Sequence, residues 1–321
     1  MSNWIAKPLD ALSIEEKRLI LGRGPVPLSQ TWAWQRAVQS IGGRCYLILH
    51  VTRLVGGFVH SFDDQHFECI NGPILSWDHP ECIAGELATF AQAVSRLSRS
   101  FRSMTLAPRW DVSDLSSRLS NLPIQPTEVN YASTIWVPVE STSAEQIGRA
   151  HPRMRRTLAR GARAGLAGEC LVGNDSQIER FVAEIREVGK LKNFFVPPLA
   201  WFKALMKDDL GAMGLDEKIT FQLIQVSSEE AYTQLLIVFT PQFSHYLFGY
   251  DDRPSGTRQS TAAAAQFQAL DLSRARGISY YDLNGYTDPS DLSHPYAGVS
   301  QFKSQWGGAE VRWAAPKFVI S

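Results

Sequence analysis

Long apolar runs are missing from this 321-residue sequence. No stretch approaches the roughly 20 residues that a membrane-spanning helix needs. The opening segment, MSNWIAKPLDALSIEEKR, carries acids early and has no apolar signal core, so the chain reads as cytosolic. Net charge is missing too: 32 Lys and Arg balance 32 Asp and Glu. A balanced chain is not coated in non-specific affinity for nucleic acid, although a local basic patch stays open. Cysteine is scarce, and Cys45, Cys69, Cys82 and Cys170 show no close pairing. Neither a metal site nor a disulfide framework is implied, and the thiols are expected to be reduced and mostly buried. The seven histidines are scattered. No Ser/His/Asp or Cys/His pattern calls for a covalent intermediate.

What is present is the composition of an ordinary globular protein, 44% hydrophobic and 20% charged. The length exceeds what one core usually serves, so two domains are expected, 1–145 and 146–308. A final strand, 309–321, is free to return to the N-terminal domain. In the first half, Ser13 with Glu16 three residues on predicts a capped helix to Leu21. Ser29 is the predicted cap of a second helix, in which Trp32, Val38 and Ile41 face a core and Gly42–Gly43 end the run. Strands are predicted at Cys45–Thr52, Gly56–Phe62, His66–Leu75 and Ser103–Ala107, with a helix over Glu81–Arg99. Asp111 follows the last of these strands. It is either a helix N-cap or a carboxylate at a cleft edge that holds an amine. Strand Ser133–Glu140 is expected to close the first half.

The second half opens on EQIGRAHPRMRRTLARGARAGLAGE. Arg149, Arg153, Arg156, Arg160 and Arg163 are spaced four, three, four and three apart. They share one helical stripe if the helix runs back through Pro152 to Arg149. Met154, Leu158 and Ala162 would dock the opposite side. No acid occurs between Glu145 and Glu169. Like charges at such spacings cost about 0.2–0.5 kcal/mol per pair, so the stripe points to a polyanion, with a solvated face as the plain alternative.

Further on come a strand at Glu169–Val172, helices over Gln177–Lys190 and Leu199–Lys207, and three hairpin-linked strands, Ile219–Val226, Tyr232–Phe239 and Ser244–Asp251. A helix over Gly256–Arg276 leads to the last distinctive stretch, GISYYDLNGYTDPSDLSHPYAGVSQFKSQWGGAEVRW. Its strand, Ile278–Gly285, would put Tyr280, Asp282 and Asn284 on one face and Tyr281 and Leu283 on the other. The short helix Gly298–Trp306 carries one cation, Lys303, and Gly307–Gly308 stop it.

This stretch resembles the C-terminal signature of the Fem aminoacyltransferases, which add amino acids to peptidoglycan precursors. Gly285, Gly298, Phe302, Lys303, Trp306, Gly307 and Gly308 match it, and Gln30 and Trp34 match a Gln-x-x-x-Trp pattern near the N-terminus. Where family members often carry a phosphate-binding lysine, this chain has Val38, and the nearest cation is Arg36. The resemblance implies an α/β fold with mixed sheets, two GNAT-like acyltransferase domains in tandem, in a short form without a coiled-coil arm. The predicted order of the second half is the order of one such domain.

The implied activity joins an amino acid esterified to tRNA to an amine acceptor, either a peptidoglycan precursor peptide or a small-molecule or peptide intermediate. Aminoacyl-tRNA is then a co-substrate, and no other cofactor is called for. The work left is to align amine and ester and to stabilise the oxyanion. Lys303 is the first choice for a cation near the reacting centre or a substrate phosphate, against a plain surface lysine. Asp282 either orients or deprotonates the amine or is a structural partner within the sheet. Trp34, Arg36, Tyr250, Tyr281, Asn284, Phe302 and Trp306 are candidate substrate contacts, and the five arginines are candidate tRNA contacts. The alternative is a coenzyme A-dependent N-acyltransferase. Arg253 and Gly256 fit the pyrophosphate turn of such enzymes, whereas Arg258 replaces its usual small residue and would crowd the backbone approach; Arg253 and Arg258 remain candidate substrate contacts, Arg258 by meeting a phosphate with its planar fork.

Overall fold

The structure is a computed structural model. Its described residues are 4–21, 27–70, 72–74, 80–107, 124–127, 133–171, 173–192, 194–207, 210–252, 254, 260–294, 296–312 and 317–320. In chain order the strands are β1 (Trp4–Pro8), β2 (Arg44–His50), β3 (Val55–Ser61), β4 (His66–Ile70), β5 (Ser103–Ala107), β6 (Ile124–Thr127), β7 (Ser133–Pro138), β8 (Glu169–Leu171), β9 (Thr220–Ser227), β10 (Tyr232–Phe239), β11 (Phe243–Asp252), β12 (Tyr280–Asp282), β13 (Ala309–Arg312) and β14 (Lys317–Ile320). The helices are α1 (Ile14–Leu21), α2 (Trp32–Gln39), α3 (Pro80–Ser95), α4 (Ser143–Arg149), α5 (Pro152–Arg163), α6 (Asp175–Lys192), α7 (Leu199–Met206), α8 (Thr261–Ala275) and α9 (Ala297–Ser304).

Two compact units result. The first comprises 1–132, 200–217 and 312–321, and the second 133–199 and 218–311. Each is built on a mixed seven-stranded sheet. The first sheet runs β1-β2-β3-β4-β5-β14-β6, and the second runs β13-β7-β12-β11-β10-β9-β8. Each contains a parallel pair, β4 with β5 and β11 with β12, joined through a helix as parallel strands require. Each sheet also receives, beside its parallel pair, a strand from a distant part of the chain: β14 in the first and β7 in the second. The division at 132/133 therefore differs from the expected 145/146. Ser133–Pro138 pairs with β12 and does not close the first half. The expected single final strand is two, β13 in the second sheet and β14 in the first.

Alternation decides the layers of the first unit. From β2, Cys45, Leu47 and Leu49 pack with Trp32, Val38, Phe58, Leu210 and Leu215 on one face. Ile48 joins Val59, Phe67, Leu87, Phe90 and Val94 on the other, which α3 covers. Ser13 and Glu16 cap α1 reciprocally, with Ser13 N donating to Glu16 Oε2 at 2.8 Å and Glu16 N to Ser13 Oγ at 3.2 Å. The cap of α2 is Thr31, whose Oγ1 accepts from Trp34 N at 3.3 Å. Ser29 lies just before it and donates to Ile70 O instead. Glu217 completes the start of α2 by accepting from Trp32 N and from Ala33 N, which ties segment 200–217 to that helix.

In the second unit, α8 covers a core of Ile135, Val137, Ile224, Val226, Leu235, Ile237, Tyr281 and Leu283. α5 adds Met154 and Leu158, and α9 is anchored by Trp306 just past its end. α6 buries Ile178, Phe181, Val182 and Ile185 and lies against β11. Two cysteines, Cys45 and Cys69, are buried, while Cys170 is exposed. Among the described residues no helix is long and apolar enough to cross a membrane.

β14 is an interior strand, hydrogen-bonded to β5 on one side and β6 on the other. Removing residues 317–321 therefore strips two ladders at once. The truncated chain is expected to lose cooperative unfolding of the first unit while the second keeps its own transition, which differential scanning calorimetry and limited proteolysis would check.

Candidate functional site in the second unit

The site grows from β12, three residues long, set parallel to β11 and antiparallel to β7. Tyr281 faces the core under α8, fully buried, and its hydroxyl donates to Gln266 Oε1. Burial pushes its phenol far above the ordinary tyrosine value. It belongs to the core and does not line a pocket. Asp282 faces the other way and is also fully buried. Its Oδ1 accepts from Thr134 Oγ1 at 2.5 Å and from Asn284 N at 2.8 Å, and its Oδ2 lies 3.3 Å from His245 Nδ1.

The carboxyl of Asp282 turning back to Asn284 N explains why the strand stops short of the expected Gly285. Asn284 takes φ +55°, a left-handed conformation that asparagine tolerates, and Gly285 follows at φ +21°. Asn284 thus leaves the strand face predicted to hold it with Tyr280 and Asp282. Its Nδ2 instead donates to Tyr246 O at 2.9 Å, bridging to β11.

Lys303 closes the arrangement from α9. It is only 6% exposed, and its Nζ donates to Asn284 O at 2.5 Å and Gly285 O at 2.6 Å. The Tyr246 ring lies 5.7 Å from the ammonium. Burial lowers the lysine from its ordinary 10.5 to about 8, and the nearby Asp282 opposes that fall. It is not a surface lysine. Phe302 and Trp306, ring centroids 6.0 Å apart, anchor the helix, Trp306 fully buried and Phe302 partly buried against the same core. The glycine pair has a steric cause. A Cβ on Gly307 would stand 2.4 Å from Arg149 O, and one on Gly308 would stand 2.6 Å from Trp136 O.

The remaining candidates are dispersed. Tyr250 lines a cavity of about 800 Å³ in the second unit with Glu184, Lys190, Phe194 and Phe195. Trp34 and Arg36 belong to the first unit, where Trp34 meets Trp201 edge-on at 5.1 Å. Arg36 lines a cavity of about 690 Å³ with Asp10, Arg44, Tyr46 and Lys207, and its guanidinium donates to Lys207 O. Lys303 borders neither of these two cavities. Val38 is buried in the first core. Gln30 plays a structural part. Its amide accepts from Phe58 N at 2.8 Å and donates to Ile70 O at 2.7 Å, splicing β3 to β4. Asp111, Arg253 and Arg258 lie outside the described residues.

The arginine stripe is altered. The helix does not run back to Arg149, because His151, preceding Pro152, is extended at φ −54°, ψ 145°. Arg149 ends α4, where it pairs with Glu140 and donates to Gly307 O. On α5, Arg153, Arg156, Arg160 and Arg163 are all exposed, and Arg155 joins them. None of these five has an ion-pair partner among the described residues. Gly161, rather than Ala162, completes the docking side with Met154 and Leu158. His245, Thr134 and Tyr246 carry no signal in the sequence. Only strand register brings them to Asp282 and Lys303.

Solved structures share this fold. A crystal structure of FemX superposes with a TM-score of 0.73 at 13% identity, over 98% of this chain and 96% of that one. A conserved protein of unknown function from Bacteroides thetaiotaomicron VPI-5482 gives 0.56 at 10% identity, covering 98% and 99%. L-PGS from Bacillus licheniformis gives 0.52 at 10%, covering 96% and 91%. No family model matches the sequence, and no curated protein matches it. At these identities the likeness is one of fold: the chain has the FemX fold, two GNAT-like units in tandem.

Lys303 makes a prediction about stability. Folded, it gives up its proton near pH 8; unfolded, near 10.5. Between those values the unfolded chain binds more protons, so stability rises with pH. Relative to Lys303→Met, the wild type should gain about 2 kcal/mol between pH 8 and 10, measured by urea denaturation at each pH. A flat difference would mean the ammonium is not desolvated.

Proposed function

We propose that the protein is an aminoacyl-tRNA-dependent aminoacyltransferase. It forms an amide between a tRNA-borne amino acid and an amine acceptor, either a peptidoglycan precursor peptide or a small-molecule or peptide intermediate. The observation that carries the reading is the exposed arginine face of α5, without acidic partners among the described residues, on a chain with the FemX fold. A chain of zero net charge that sets five arginines on one helix without an acid has a surface for a polyanion. Four arginines at three- and four-residue spacing can track a phosphate backbone.

The chemistry asked of the second unit is modest. The ester arrives activated, so the protein orients the amine and steadies the oxyanion. Lys303 supplies the cation, held by the carbonyls of Asn284 and Gly285. Val38 where relatives often carry a phosphate-binding lysine leaves a small acceptor as open as a nucleotide-linked one.

The experiment charges bulk tRNA with labelled amino acids, adds the protein with candidate amines, and follows label into amide. Transfer that ribonuclease abolishes is expected; transfer from acyl-coenzyme A instead would overturn the reading. Replacing Arg153, Arg156, Arg160 and Arg163 with alanine should weaken tRNA binding. It should also flatten the slope of log K against log salt by about 2–4, since each phosphate contact contributes close to one. Filter binding across a salt series reads this. An unchanged slope would remove α5 from the interface.

A further inference from the structure

The parallel pair in the second sheet ends at one rung. Phe243, Ser244 and His245 of β11 register with Tyr280, Tyr281 and Asp282 of β12. β12 then stops, while β11 continues to Asp252. The strands part just beyond His245 and Asp282, and the main chain of this fork is already engaged: Tyr246 O accepts from Asn284 Nδ2, and Lys303 Nζ holds the carbonyls of Asn284 and Gly285. At the same rung stands a histidine–carboxyl pair that the proposed chemistry has not used.

The pair is ordered on every side. His245 is 5% exposed, and its ring stacks on Phe243 at 5.8 Å and 21°. Nδ1 lies 3.3 Å from Asp282 Oδ2. The other oxygen, Oδ1, is held by Thr134 Oγ1 and Asn284 N. A carboxylate oxygen only accepts, so the neutral ring carries its proton on Nδ1 and presents a lone pair on Nε2. Among the described residues Nε2 makes no hydrogen bond, and it is not among the atoms sealed from solvent. A histidine buried for structure alone normally satisfies both nitrogens. This one is fixed at one nitrogen and left open at the other, and its carboxyl partner also acts on the buried Lys303 ammonium.

We propose that His245, positioned by Asp282, is the general base of the acyl transfer. This rests on the aminoacyltransferase reading given above. The acceptor nitrogen attacks the ester carbonyl carbon, forming the C–N bond. Its proton passes to Nε2 of His245. The ester C–O bond breaks, and the proton returns to the departing alkoxide, which leaves as an alcohol. Asp282 orients the ring and steadies the imidazolium between the two transfers. Lys303 remains a cation, and no other co-reactant is needed.

The test separates a base from a structural histidine. His245→Asn keeps a side-chain N–H where Nδ1 stood and so keeps the bond to Asp282, but it has no counterpart of Nε2. With labelled aminoacyl-tRNA and the amine that the wild type accepts, His245→Asn should melt like the wild type, lower kcat by about 100-fold or more and leave KM nearly unchanged. Asp282→Asn should lower kcat as well. In the wild type, long-range ¹H–¹⁵N spectra should show the Nδ1–H tautomer at His245. Diethyl pyrocarbonate should modify His245, read by peptide mass spectrometry, and Asp282→Asn should disturb the tautomer. Full activity in a folded His245→Asn, or a His245 that resists the reagent in the native protein, overturns the base while leaving the aminoacyltransferase reading intact. A wild type that transfers nothing from tRNA overturns that reading and the base with it.

Discussion

A single buried carboxyl gathers the second unit. Asp282 receives a hydroxyl from β7, faces a histidine on β11 and accepts the N–H of Asn284, so one side chain binds three strands to a turn. A polar group this deep is tolerable when its hydrogen bonds are made. Making them forces the chain out of β12 after three residues and puts Asn284 into a left-handed conformation. That turn exposes two successive carbonyls, and those carbonyls are what Lys303 reaches. The lysine would have little reason to be buried without them. The aromatic anchors on α9 and the glycine pair after it follow from bringing that helix close to the sheet.

The same economy governs the sheets. Each unit completes its sheet, beside its parallel pair, with a strand distant in sequence, β7 in one and β14 in the other. An interior strand with partners on both sides cannot fray independently, so the chain's last described segment is structural. In the first unit, Gln30 and Glu217 do comparable work with side chains: one splices two strands, the other finishes a helix start. The matched glutamine of the N-terminal motif therefore has a structural explanation that needs no ligand.

Much of this is legible along the chain because it is local. Apolar and β-branched residues locate β10 at Tyr232–Phe239 and β5 at Ser103–Ala107, and the Ser13–Glu16 spacing locates the cap of α1. The pattern of the second half identifies the GNAT-like order. Errors arise where two local signals compete. Ser29 and Thr31 are both good caps, and the chain makes a 3₁₀ turn at the first before starting α2 at the second. Pro152 suits the first turn of a helix, yet the residue before a proline prefers an extended backbone. That preference separates Arg149 from the other arginines.

The sequence by itself determined the run of elements, the crowding of arginines onto one acid-free helix and the Lys303 motif with its glycines. Each depends on residues within a few turns of one another. Tertiary structure alone decided which strands became neighbours, that Lys303 is buried rather than solvated, and that His245 stands opposite Asp282, 37 positions away. Strand pairing and desolvation are set by what folds against a residue. No spacing along the chain encodes the partner that a buried nitrogen or oxygen will find.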